Sequence, residues 1–145
     1  MTSRIVIIPA RGGSKRIPKK NIKDFLGKPI ISYTIENAIK SDLFDEIHVS
    51  TDDDEIFSIV SDLGVKPKFK RSSRLSNDTV PIMDVLRDVQ ERYEKIEIFY
   101  DEIWLLLPCT PLLEVSDLIS ASNSFSTTSN CKAMMSVGEY PAPIE

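Results

Sequence analysis

The residues best suited to chemistry lie between Pro9 and Asn21, where Arg11, Ser14, Lys15, Lys20 and Asn21 surround the adjacent Gly12 and Gly13. From Arg11 to Lys28 there are seven Lys or Arg residues and one acid, Asp24, although the 145-residue chain carries a formal net charge of -4. A cationic loop in an acidic chain marks a local anion site rather than general basic character. Gly12 and Gly13 open backbone torsions closed to other residues and let the main chain approach a ligand. Successive N–H groups in such a turn form a nest for phosphate oxygens. Arg11 can grip a phosphate through two parallel hydrogen bonds, while Lys15 and Lys20 act as point charges. Ser14 and Asn21 add neutral donors.

A solvated basic turn is the plainer reading of such a loop. Its position argues for a ligand site, because it follows Ile5-Val6-Ile7-Ile8, an apolar run that reads as a strand buried on both faces. In open α/β sheets ligands bind beyond the carboxyl ends of strands. The loop lacks the Gly-Lys-Ser/Thr of a Walker A motif, and its adjacent glycines do not fit Gly-x-Gly-x-x-Gly. The residues alone reach a polyphosphate or nucleotide site.

The elements that must position this loop follow in order. Pro29 suits the first turn of a helix, and Ile31, Ile35, Ala38 and Ile39 give it one apolar face until about Ser41. Glu46–Thr51 reads as a strand, with His48 a strand residue rather than an acid-base catalyst. The acids Asp52, Asp53, Asp54 and Glu55 fit a helix N-terminus, capping a helix that Gly64 ends; metal ligation is the alternative. Asp52, at a strand end, is also placed to line a cleft. Val65–Phe69 reads as a short third strand, followed by a polar loop in which Asp78 or Thr79 caps a helix carrying Ile82, Val85, Leu86, Val89 and Tyr93. Ile103–Leu107 reads as a central buried strand ending at Pro108-Cys109-Thr110-Pro111-Leu112, on the same sheet edge as the basic loop. A helix from about Ser116 to Phe125 and a strand over Ala133–Val137 complete the series before Tyr140-Pro-Ala-Pro-Ile-Glu145. The alternation predicts an α/β, doubly wound, mostly parallel sheet with the cleft at the switch between the first strand and the Trp104 strand.

The run Ile8-Pro-Ala-Arg-Gly-Gly-Ser-Lys-Arg-Ile-Pro-x-Lys-Asn21, followed by Leu26-Gly-Lys-Pro29, resembles the nucleotide-binding signature of the acylneuraminate cytidylyltransferases, or CMP-sialic acid synthetases. These include enzymes for pseudaminic and legionaminic acid. The resemblance implies a Rossmann-like nucleotidyltransferase fold and the reaction of CTP with a nonulosonic acid to give a CMP-sugar and pyrophosphate. It places Arg11, Ser14 and Lys15 on the triphosphate and Lys20 where charge develops as pyrophosphate leaves, which makes Arg11 and Lys20 the catalytic candidates. Asn21 would orient the nucleotide, and the main chain around Ala10 and Gly12 would read the cytosine or ribose, with Gly13 in the same nucleotide-binding loop. Arg71 matches an arginine that approaches the nucleotide, against the plainer reading of a solvated loop. The segment Leu106–Leu112 resembles a Leu-x-Pro-Thr-x-Pro-Leu element beside the sugar, which brings in Leu107 and Thr110. Sialic acid-specific members usually hold Gln where this chain has Leu107. A missing polar contact changes discrimination strongly, so pseudaminic acid comes first and legionaminic acid next.

The family implies Mg²⁺ bridging phosphate oxygens, but its paired aspartates lie beyond the position of Glu145, so no residue here is matched to the metal. The same reasoning expects residues 1–145 to be one nucleotide-binding domain lacking its C-terminal part, and a homodimer for the full-length protein. Three rival readings stand beside this one. A 3-deoxy-manno-octulosonate or phosphosugar nucleotidyltransferase is disfavoured by Gly12-Gly13-Ser14-Lys15 and the Lys20-Asn21 pair. A truncated, non-catalytic nucleotide-binding module would bind CTP without turnover. Nucleic acid is disfavoured by the acidic total and the lack of stacking aromatics near the loop.

Cys109 and Cys131 lack metal-ligand spacing and read as reduced, structural thiols. No apolar run approaches the length of a membrane span, and no signal-peptide pattern opens the chain. The expectation is a cytoplasmic protein.

Overall fold

Ile5-Val6-Ile7-Ile8 is apolar at every position because both faces of its strand are covered. In the computed structural model, which describes residues 1–139, this segment belongs to β1 (Arg4–Pro9). Its side chains alternate between two clusters. Val6 and Ile8 pack with Ile31, Ile35 and Ala38 of α1 (Ile31–Ser41) and with Ile56 and Val60 of α2 (Asp54–Asp62). Ile5 and Ile7 pack with Leu86, Val89 and Tyr93 of α3 (Ile82–Glu94) on the opposite face.

β1 lies between β4 (Glu46–Ser50) and β5 (Glu102–Leu105), parallel to both, in the order β4-β1-β5. A short antiparallel pair, β2 (Asp24–Phe25) and β3 (Lys28–Pro29), follows the basic loop. The chain leaves β1 through α1 to β4 on one side, then returns through α2 and α3 to β5 on the other. The connections thus reverse about β1, and the carboxyl ends of β1 and β5 lie side by side, where ligands bind in open α/β sheets. α4 (Val115–Thr127) closes its own N-terminus with a reciprocal pair of bonds between Glu114 and Asp117, and packs on α1.

Several expectations are corrected. Pro29 lies in β3, and the helix begins after Ile30. Ile39 is exposed rather than on the buried face. Val65 and Pro67 are buried in alternation with exposed neighbours, but Pro67 has no N–H to give a ladder, and Val65–Phe69 forms no strand. Ala133–Val137 forms no strand either, with Met134, Met135 and Val137 exposed. Among the described residues the Trp104 strand is an edge rather than a centre, which leaves Ile103 and Leu105 each 37% exposed. Tyr140–Glu145, where the end of the chain was read, lies outside the described residues. Among the described residues no helix is long and apolar enough to cross a membrane.

Candidate functional site

The basic loop is fixed by its own main chain. The Ala10 N–H donates to the Ser50 carbonyl at 2.9 Å, and the Gly12 N–H donates to Asp52 Oδ1 at 3.1 Å. Asn21, buried in the single turn Lys20–Ile22, donates from Nδ2 to the Arg11 carbonyl at 3.0 Å. Its Oδ1 accepts from the Cys109 thiol at 3.3 Å. One amide thus ties the loop after β1 to the loop after β5. Burial raises the Cys109 pKa, which keeps the thiol protonated as a donor.

The two glycines have different reasons to be there. A Cβ at Gly12 would lie 2.8 Å from the Cβ of Asp53, whereas one at Gly13 would meet nothing within 4 Å. Asp53 cannot easily withdraw, because its Oδ1 caps α2 by accepting from the N–H groups of Glu55 at 2.9 Å and Ile56 at 3.0 Å. The acidic cluster is thus a helix cap in Asp53 and a loop anchor in Asp52.

Arg71 forms the opposite wall. Only 8% exposed, it donates from Nη2 to the Ser50 carbonyl at 2.8 Å and from Nε to Ser50 Oγ at 3.0 Å. Burial lowers its pKa, an effect opposed by nearby Asp52; a guanidinium remains charged nonetheless.

Between these walls runs a cleft of about 720 Å³, a size suited to a small ligand. Arg11, Lys15, Arg16, Lys20 and Arg71 bring five cations to it, with Ser14 and Asn21 beside them, and Leu107 and Pro108 at the β5 side. Arrays of fixed donors and cations of this kind stabilise anionic oxygens in a partly desolvated crevice. Of the remaining expected site residues, Ala10 is fully buried with its N–H committed to Ser50. Thr110 does not line the cleft. Its hydroxyl donates to the Leu107 carbonyl at 2.9 Å and lies 3.1 Å from the hydroxyl of buried Thr34, which braces the Leu107 loop on α1.

Asp78 occupies a place that the sequence did not suggest. It does not make the cap of α3 that its position suggests: Pro81 is the N-cap residue without a side-chain cap bond, and Thr79 Oγ1 donates instead to Asn77 at 2.8 Å. The Asp78 carboxylate reaches across the cleft and pairs with both Arg11 and Lys15, whose hydrogen bonds (Lys15 the larger) hold its pKa below the usual range. A contact over 67 positions has no local signature, so only the charge itself could have pointed to it.

Asp52, Asp53 and Asp78 are each engaged, and among the described residues no group of three or more His, Cys, Asp or Glu could hold a metal ion. These residues do not fit a Mg²⁺ site of their own. His48 is buried on the α3 side, with Nδ1 3.1 Å from the Tyr93 hydroxyl. Burial, then Arg92, Lys68 and Arg71, push its pKa down to about 3, so it stays neutral and structural.

The sequence profile of the Cytidylyltransferase family matches residues 5–129. The chain belongs to this family. It is 42% identical to a pseudaminic acid cytidylyltransferase of Campylobacter jejuni over 97% of this chain and 60% of that protein. It is 36% identical to a CMP-N,N'-diacetyllegionaminic acid synthase of Legionella pneumophila over 74% of this chain and 46% of that one. Among solved structures, a CMP:2-keto-3-deoxy-manno-octonic acid synthetase complexed with CTP superposes with a TM-score of 0.69 at 28% identity, covering 86% of this chain and 48% of that one. The chain spans about 60% of the length of the first of these relatives. The α/β reading with a parallel sheet and helices on both faces agrees with the fold observed here and with these matches.

Proposed function

We propose that this chain carries the CTP site of a cytidylyltransferase that transfers CMP to a nonulosonic acid and releases pyrophosphate, with pseudaminic acid the favoured sugar. The observation that carries the reading is the convergence of Arg11, Lys15, Lys20 and Arg71 on one cleft between the ends of β1 and β5. In this reading the anomeric hydroxyl oxygen attacks the α-phosphorus, forming a new O–P bond. The P–O bond to pyrophosphate breaks, and the hydroxyl proton is lost to water. Arg11, Ser14 and Lys15 hold the triphosphate, and Lys20 offsets charge on the departing pyrophosphate. Asn21 ties the two loops through one N–H and one lone pair of its amide, which leaves a second N–H to orient the nucleotide. Mg²⁺ would supply charge withdrawal from the phosphates, and a homodimer would form in the full-length protein, as the family resemblance implies. Leu107, 52% exposed at the β5 end of the cleft, offers an apolar surface where a glutamine would favour sialic acid. The names of the Campylobacter and Legionella relatives support the sugar class.

The test is a calorimetric CTP titration of the wild-type chain and of Arg11→Ala, followed by pyrophosphate release with pseudaminic and N-acetylneuraminic acids. CTP binding that weakens at least tenfold in Arg11→Ala, with release from pseudaminic acid in the full-length protein, is the expected result. Equal CTP affinity in the two proteins would remove the basic loop from the site. Binding without release by the full-length protein would favour a non-catalytic nucleotide module.

A further inference from the structure

We propose that Asp78 is an internal anion that occupies the phosphate seat between Arg11 and Lys15 while the cleft is empty, and that an arriving polyphosphate displaces it. The inference rests on the triphosphate reading above and adds a charge threshold to that site. The two oxygens of Asp78 are divided between the two cations, Oδ1 to the Arg11 guanidinium and Oδ2 to the Lys15 ammonium. A phosphate presents its oxygens to such a pair in the same way. All three side chains line the one cleft, so carboxylate and phosphate compete for the same donors.

The segment bearing Asp78 is free to release it. Neither Asp78 nor Thr79 caps α3. Asn77 closes a small turn of its own by accepting from the Thr79 N–H at 3.0 Å and from its hydroxyl. Swinging the carboxylate away therefore breaks no helix and opens no core. The Lys15 side chain is 82% exposed, so its pair with Asp78 is of the weak, solvent-screened kind, while the Arg11 pair, at 30% and 29% exposed, is the firmer of the two.

The consequence is selectivity by charge. A ligand with one negative charge gains little by replacing one carboxylate with another anion. A tripolyphosphate gains, because its further charges reach Lys20 and Arg16 in the same cleft. Asp78 thereby weakens every anion in that seat by the same factor, so that only a ligand with further charges for Lys20 and Arg16 stays bound, and its return helps to expel pyrophosphate.

Inorganic tripolyphosphate, titrated at one fixed salt concentration into the wild-type chain and into Asp78→Asn, Asp78→Ser, Asp78→Glu and Arg11→Ala, tests this. Asp78→Asn and Asp78→Ser should each tighten binding roughly three- to tenfold, the effect of removing two competing ion pairs. Asp78→Glu, which keeps the charge, should stay near wild type. If Arg11→Ala weakens binding while both neutral variants bind no tighter than wild type, the displacement idea is wrong and the anion site stands. If Arg11→Ala also binds as wild type, the anion site itself is wrong and the proposal falls with it.

Discussion

Gly12→Ala separates packing from chemistry in the basic loop. The new Cβ would lie 2.8 Å from Asp53 Cβ and 3.0 Å from Asp53 Cγ, whereas carbon atoms settle about 3.5–4.0 Å apart. Something must therefore move by about 1 Å. If Asp53 moves, α2 loses the cap it makes to Glu55 and Ile56, at about 1 kcal/mol. If the loop moves, the Gly12 N–H leaves Asp52, and a hydrogen bond to a charged group is worth about 1.5–3 kcal/mol. Either route lowers the melting temperature by roughly 3 °C or more for a chain of this size. The same displacement shifts Arg11 and Lys15, and CTP affinity should fall roughly tenfold, since a 1 Å error in placement is costly. Gly13→Ala is the internal control: with nothing within 4 Å of its Cβ, it should change neither quantity. Thermal melts and calorimetric CTP titrations of the two variants provide the assay. A Gly12→Ala protein that melts and binds like wild type, or a Gly13→Ala protein that is equally impaired, would refute the reasoning.

Two further outcomes follow from buried groups. His48 stays neutral in the fold down to about pH 3, while in the unfolded chain it takes up a proton near pH 6.5. The unfolded state thus binds more protons in that window, and stability falls as pH drops from about 6.5 towards 3, by roughly 2 kcal/mol between pH 7 and pH 5. Urea unfolding of wild type and His48→Gln at several pH values should show a flatter profile in the variant; parallel profiles would reassign the acid sensitivity elsewhere. Arg71→Lys should weaken CTP binding and lower the urea midpoint, because one ammonium cannot reproduce the fork that meets both Ser50 oxygens. An unchanged midpoint would show that those two bonds contribute nothing net.

What the sequence disclosed was mostly local. The buried run Ile5–Ile8 and the cation-rich loop after it could be read directly, because strand burial and loop charge depend on neighbouring residues. So could the Asp53 cap, whose acceptor and donors are two and three positions apart. The helix expected to begin at Pro29 forms from Ile31 instead, because the hairpin β2-β3 outcompeted an intrinsic preference for a first helical turn. The Val65–Phe69 strand failed because alternation records burial, not ladder bonding, and Pro67 cannot donate. In the cleft, residue types indicated an anion site, but roles depended on partners far away. Asn21 reads as a ligand from its type and place, but its tie between Arg11 and Cys109 could not be read from the sequence. Thr110 reads as a sugar contact from its segment, but its brace on Thr34 of α1 has no local signature. Asp78 reads as a cap until its two cations appear from the far side of the cleft.

The position of β1 between β4 and β5 also has a consequence for biosynthesis. β1 leaves the ribosome before both of its partners, since Ile5 pairs with Glu46 on one side and Ile103 on the other. At ordinary elongation rates its second edge waits on the order of 5–20 s for a partner. During that interval a short, uncharged, β-branched segment is free to pair with another nascent copy. Arg4 before it and Pro9 after it in the strand, with Arg11 just beyond, flank the run with charge and a missing donor. Residues of this kind discourage intermolecular strand addition. The same basic loop that lines the cationic cleft of the finished protein thus begins its service as a guard on the nascent chain.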